Sequence, residues 1–121
     1  MAKFVEMDDK ITIREQTEEK NIGRVILINK FNVEPDKLDI FLKAWAEDAS
    51  YFKQQPGFIS AQLHKGIGKS SVFLNYAVWE STEHFKQAFN KLDLSKLSDF
   101  PATTISPHLF KKVAVPGICE E

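Results

Sequence analysis

Between Val25 and Val115 the apolar residues change their spacing in a set order, and that order leaves few folds open. Val25-Ile-Leu-Ile-Asn-Lys-Phe-Asn-Val opens with four long apolar residues in a row and reads as a strand buried on both faces. Glu34-Pro35-Asp36 interrupts it, with Asp36 placed to cap a helix. Leu38, Phe41, Leu42, Trp45, Ala49 and Phe52 then recur at three- and four-residue steps, one stripe of an amphipathic helix, while Asp39, Lys43, Glu47, Asp48 and Lys53 fall outside it. Gln55-Pro56-Gly57 is a stop signal. From Phe58 to Lys65 the period is two, with Ile59, Ala61 and Leu63 opposed to Ser60, Gln62 and His64. A glycine-containing turn, Gly66-Ile-Gly-Lys-Ser-Ser, leads into Val72-Phe-Leu-Asn-Tyr-Ala-Val-Trp-Glu, so the two runs predict a hairpin. Ser81 is placed as an N-cap, and Phe85, Ala88, Phe89 and Leu92 mark a second helix. Residues 93–107 read as a loop with two prolines, and His108 to Val115 as a last strand closed by Pro116-Gly117.

The order strand–helix–strand–strand–helix–strand is that of an α+β, ferredoxin-like split βαβ fold, an antiparallel sheet with both helices on one face. The domain is expected to span residues 25–115, preceded by a polar extension, 1–24, and followed by a tail, 116–121. Within the extension Lys10-Ile-Thr-Ile-Arg alternates, which fits either a short peripheral strand or a partly ordered segment. The strands at Val25 and Val72 are apolar on both parities, yet helices cover only one face of such a sheet. A second copy stacking sheet on sheet would bury the other face, so a homodimer that closes into an α/β barrel is expected.

A chain of 121 residues suits one domain. Lys and Arg total 16 against 17 Asp and Glu, a formal charge of −1, which argues against a nucleic-acid surface. No apolar run approaches the ~20 residues of a membrane span. The N-terminus lacks a signal-peptide core, and the single Cys119 cannot form an internal disulfide, so the cytoplasm is the expected compartment. Gly68-Lys69-Ser70 imitates the end of a phosphate loop, but the glycine required five residues before Gly68 is Leu63, and a strand follows where a helix should. His64, His84 and His108 lack metal-ligand spacing, Cys119 has no nucleophile signature, and His84 is expected on a solvated helix face. No metal site is expected.

The remaining chemistry lies in polar residues set inside good strands. Phe73, Asn75, Ala77 and Trp79 share one side of their strand; Val72, Leu74, Tyr76 and Val78 share the other. The aliphatic side is expected to meet the helices, which would turn Asn75 and Trp79 toward the space between the sheet and its partner sheet. Asn29 lies on one side of the first strand with Leu27 and Phe31. A buried Asn without partners costs about 1–3 kcal/mol, so these carboxamides have either a structural bond or a ligand. Structural alternatives stand beside the functional ones: Asn75 bonding across a dimer, Trp79 as core packing, Asn29 at a strand edge, His64 as a wet residue at the mouth. Ten Phe in one small chain also supply aromatic walls for a cavity.

The strand at 25–33, the helix ending in Gln55-Pro56-Gly57-Phe58, and Asn75-Tyr-Ala-Val-Trp79-Glu-Ser followed by Phe85 resemble the antibiotic biosynthesis monooxygenase family, a dimeric α/β barrel, over about residues 25 to 115. The resemblance implies oxidation of a small aromatic or quinol-type substrate by O₂ with no cofactor, the substrate anion itself passing an electron to oxygen. It makes Asn75 and Trp79 the residues that hold the substrate and its developing anion. His64 is a candidate proton acceptor, since its ordinary pKa lies near neutrality. Asn29, Phe31, Phe73 and Phe85 are candidate substrate contacts. Where the polycyclic phenol oxidases have a Tyr six residues after the Trp, this chain has Phe85, which has no hydroxyl. The haem-degrading branch shares Asn29 and Trp79 but needs a His where Leu97, Ser98, Asp99 and Phe100 stand, so haem degradation is not expected. A non-catalytic small-ligand module, or an isomerase on the same fold, is the alternative.

Overall fold

A computed structural model describes residues 2–92 and 99–120. In chain order the elements are β1 (Lys3–Phe4), α1 (Ile13–Gln16), β2 (Val25–Asn32), a 3₁₀ turn (Pro35–Lys37), α2 (Leu38–Lys53), β3 (Phe58–Lys65), β4 (Val72–Trp79), α3 (Thr82–Lys91) and β5 (Thr104–Phe110). They form a five-stranded sheet in the order β1-β5-β2-β4-β3, antiparallel except for β1, which runs parallel to β5. The β-α-β-β-α-β core is the ferredoxin-like α+β arrangement read from the sequence, with α2 and α3 on one face. Among the described residues no helix is long and apolar enough to cross a membrane.

Local sequence explains most element boundaries. Pro35 fixes φ at the first position of the 3₁₀ turn, so Asp36 lies inside that turn and does not cap α2. Gln55-Pro56-Gly57 ends α2 as expected; Gly57 has φ +86°, and a Cβ there would lie 2.2 Å from Cγ of His84. His84 is therefore half-buried against that turn, its Nδ1 2.7 Å from Oγ of Ser81, and not solvated. Ser81 caps α3 by accepting the His84 backbone N–H at 3.1 Å. Ile59 forms a bulge that shifts the register of β3 on β4 between Phe58 and Ser60.

The N-terminal segment differs from its reading. Lys10–Arg14 does not pair as a strand; Ile13–Gln16 is a helical turn closed by a capping box, in which the Thr12 hydroxyl accepts the Glu15 N–H and the Glu15 carboxylate accepts the Thr12 N–H. A strand does form, but earlier, at Lys3–Phe4. Ile13 enters the main core beside Val25, Trp79, Phe85 and Phe89.

The last strand also differs, running from Thr104 to Phe110 where His108 to Val115 was expected, so Pro107 lies inside it. The backbone explains how. The Ile105 carbonyl accepts the Val5 N–H at 2.9 Å, and both backbone groups of Leu109 bond the Gln16 carboxamide at 2.9 Å. Residues 105 and 109 thus face away from β2, and alternation makes Pro107 do the same. Its missing N–H falls where the ladder asks for no donor.

The two sheet faces are reversed relative to the expectation. Phe73, Ala77 and Trp79 face the helices and are 3%, 2% and 1% exposed, whereas Val72, Leu74, Tyr76 and Val78 face outward, Tyr76 being 36% exposed. The helices present Phe41, Phe52, Phe85 and Phe89, and large rings interlock with the aromatic parity of β4 better than with its aliphatic one. The outward face of β2 is only half covered at Ile26 and Ile28, so β2 is not buried on both sides.

Candidate functional site

The reversal puts Asn75 and Trp79 into a cleft between the sheet and the two long helices. It holds a cavity of about 100 Å³ that is open to solvent on one side. β2 contributes Leu27, Asn29 and Phe31; β4 contributes Asn75, Ala77 and Trp79; α2 contributes Trp45, Asp48, Ala49 and Phe52; α3 contributes Phe85 and Phe89. Phe4 of the N-terminal strand, Phe58, Ala61, Leu92, Phe100, Ile105 and Pro107 complete the wall. Ala77 leaves the room in the middle of this aromatic lining.

Asn29 and Asn75 are direct cross-strand partners of β2 and β4, which places their carboxamides side by side. Trp79 is held by three edge-to-face rings: Phe58 at 5.5 Å, Phe85 at 5.7 Å and Phe52 at 6.2 Å between centroids. Oδ1 of Asn29, Oδ1 of Asn75 and Nε1 of Trp79 are all buried and without a hydrogen-bond partner among the described residues. Each such orphan costs about 1–3 kcal/mol. One wall therefore offers two acceptors and one donor to whatever fills the cleft. The Asn Oδ1 atoms suit a hydroxyl donor, and the indole N–H suits an oxyanion in a site with little water.

The other candidates divide. Phe31 and Phe85 line the cleft with Asn29. Phe73 does not; it is packed under Phe41 at 4.7 Å in the second core cluster with Phe31 and Ala102. His64 is excluded from this site: paired with Leu74, it stands exposed on the outward face of β3, across the sheet from Asn75 and Trp79. Ser60, Gln62 and His64 alternate against Ala61 and Leu63, and once the aromatic parity of β4 turns inward the polar parity of β3 must turn outward. Of the four residues Leu97 to Phe100, Leu97 and Ser98 lie outside the described residues, and Phe100 lines the cleft. Among the described residues no three His, Cys, Asp or Glu converge as metal ligands would.

Asp48 is the cleft-lining polar residue that sequence reasoning missed. It follows Phe41 by seven residues and Trp45 by three, and precedes Phe52 by four, so it shares their side of α2 while Leu42 turns out to be 43% exposed. Burial raises its pKa above the ordinary carboxylate value, and the neighbouring Glu47 raises it further. The signal in the sequence was an acidic residue in register with Phe41, Trp45 and Phe52.

Sheet, helices and a polar-studded aromatic cleft between them define a class of small α+β proteins with a built-in cavity. Residues 24–95 match the family model described as antibiotic biosynthesis monooxygenase, which is more than half of the chain. The chain belongs to that family. It is 31% identical over 64 residues to deoxynogalonate monooxygenase of Streptomyces nogalater, a match covering 53% of each protein, so the chain spans about half the length of that relative. Among solved structures it is similar to a proposed monooxygenase from Shewanella loihica, at 29% identity and TM-score 0.66, covering 78% of this chain and all of that one. It also resembles in fold the cofactor-independent oxygenase SnoaB of Streptomyces nogalater, at 23% identity and TM-score 0.65, covering 78% of this chain and 98% of that one.

Proposed function

We propose that the protein is a cofactor-independent monooxygenase that oxidises a small, flat, electron-rich aromatic or quinol-type substrate in the cleft between sheet and helices. The observation that carries this reading is the trio of unpartnered buried atoms, Asn29 Oδ1, Asn75 Oδ1 and Trp79 Nε1, on one wall of an otherwise aromatic cavity. Pockets that select a ligand combine apolar walls with a few such groups. Family membership and a relative named as a monooxygenase support the reaction type.

For a ring methylene flanked by a phenol or enol, the substrate anion gives one electron to O₂, the resulting pair joins at carbon, and the hydroperoxide loses water. One oxygen atom ends as the new carbonyl and the other as water, which carries both methylene hydrogens. The substrate supplies all four electrons. In this scheme Asn75 and Trp79 orient the substrate, the Trp79 N–H stabilises its anion, Asn29 and Asn75 hold hydroxyls through Oδ1, and Phe31 and Phe85 are the flat walls.

The outward face of the sheet supports a homodimer. Tyr76 and Phe110 are 36% and 41% exposed there, and Ile26, Ile28, Leu74 and Val78 are only half-buried. Sheet-on-sheet stacking of a second copy would cover them. The competing reading, a non-catalytic ligand module, is favoured by Phe85, which brings no hydroxyl to the cleft.

Oxygen uptake by metal-stripped protein offered quinols, anthrones and catechols separates the two. The expected result is uptake above the autoxidation blank that falls on the order of 10²-fold in Asn75→Ala and falls also in Trp79→Phe. No uptake across the panel, or unchanged uptake in both variants, overturns the monooxygenase reading.

A further inference from the structure

Among the described residues that line the cleft, Asp48 is the one charged side chain. α2 delivers it from the same helical face as Trp45 and Phe52, opposite the wall that carries Asn29, Asn75 and Trp79. A carboxylate on an aromatic cavity wall loses hydration, which stability alone disfavours. Among the described residues no Lys, Arg or His forms an ion pair with it.

Resting on the monooxygenase reading, we propose that Asp48 is the catalytic base of the cleft, and that the substrate therefore enters neutral, as a weakly acidic phenol, enol or benzylic carbon acid, and is ionised inside. The charge balance gives the reason. A carboxylate already in the cavity repels a substrate that arrives as an anion. It does not repel a neutral one, and moving a proton from that substrate to Asp48 keeps the cavity at one negative charge throughout.

The two Asn oxygens accept from hydroxyls of the neutral form, and the Trp79 N–H donates to the oxyanion once it develops. After O₂ has taken its electron and joined the carbon, the proton held on Asp48 passes to the terminal peroxide oxygen; the Asp48 carboxylate then takes the second hydrogen from that carbon as the carbonyl forms and the O–O bond breaks, and hands it to the departing hydroxide, which leaves as water. Asp48 is then a carboxylate again, and no further reductant enters. The same burial, with Glu47 beside it, makes this carboxylate more basic than an exposed one and so a better proton acceptor.

The test uses the full chain and Asp48→Asn, which keeps the shape and removes the base. Oxygen uptake is followed with an anthrone that is neutral in solution, from acid to neutral pH. The wild type is expected to lose kcat/KM as pH falls and Asp48 becomes protonated. The variant is expected to show a ~10²–10⁴-fold lower kcat/KM with that acid limb abolished. Binding is followed in parallel by tryptophan fluorescence with 4-nitrophenol above and below its own ionisation. The ionised form is expected to bind the variant at least ~10-fold more tightly than the wild type, which is the repulsion released. A variant that keeps the wild-type rate and pH profile overturns the role of Asp48 while leaving the monooxygenase reading in place. A wild type with no uptake on any anthrone, quinol or catechol overturns that reading and the base with it.

Discussion

Replacing Asn75 by Leu separates a carboxamide kept for a ligand from one kept for the fold, because the two cases change stability in opposite directions. Oδ1 of Asn75 is buried without a partner among the described residues, a burden of about 1–3 kcal/mol. Leu has nearly the same shape, removes that burden, and adds apolar surface against Ala77 and Phe85, which line the same cleft. The net expectation is a gain of about 1–2 kcal/mol, which for a chain of this length raises Tm by roughly 4–8 °C. Calorimetric unfolding of both proteins without ligand reads this directly. Oxygen uptake with the same preparations is expected to fall on the order of 10²-fold, the scale of losing one preorganised polar contact to the reacting substrate. A variant that is instead destabilised by more than about 1 kcal/mol refutes the reasoning, since only a carboxamide bonded within the protein would behave so.

Trp79→Phe keeps a ring among Phe52, Phe58 and Phe85 but deletes the N–H; equilibrium unfolding is expected to shift by less than about 1.5 kcal/mol while substrate turnover drops. Asp48→Asn is expected to be more stable than the wild type at neutral pH. With the folded pKa above the unfolded one, the wild type loses stability as pH rises through the interval between the two and keeps that deficit above it; melting curves of the two proteins should therefore converge at acid pH, below the ordinary carboxylate value. Sedimentation at micromolar concentration is expected to give a dimer, with Tyr76→Glu shifting it to monomer; a monomeric wild type would remove sheet stacking from the account. Gln16→Ala removes two 2.9 Å bonds to Leu109 and is expected to cost about 1–3 kcal/mol in denaturant unfolding.

Sequence periodicity carried the core elements well because each had a strong pattern and a chemical stop. α2 ends at Lys53, just ahead of Pro56-Gly57, and α3 begins at a Ser81 cap, and both signals act within one turn of backbone. Which sheet face meets the helices was not legible. Both parities of Val72–Trp79 are apolar, and the rule that polar residues point away from the core gives the wrong sign for Asn75 when the core contains a cavity. His64 followed the same error onto the wrong side. β5 is expected too late, from His108, because Pro107 normally argues against a strand, and only the outward direction of its nitrogen admits it. In the N-terminal segment the alternation at Lys10–Arg14 competed with Thr12 and Glu15, whose reciprocal bonds close a helical turn. Asp48 falls outside the apolar stripe of α2 only because an acid is not counted in it; its register with Phe41 and Trp45 turns it into the cleft.

The outer side of β5 has three different occupants along seven residues: the backbone of the N-terminal strand at Thr104 and Ile105, a proline with nothing to donate at 107, and the carboxamide of Gln16 at Leu109. A side chain here imitates a strand, satisfying one residue's N–H and C=O together as a sixth ribbon would. The sheet is thereby closed to templated growth from this side, and the N-terminal residues act as a plug against self-polymerisation as well as a wall of the cleft. Trimming residues 2–22 removes β1, α1 and the core side chain of Ile13 but keeps α2, α3 and β2 to β5, and should release an adhesive border, so that soluble protein converts with time into strand-paired aggregates detectable by thioflavin binding.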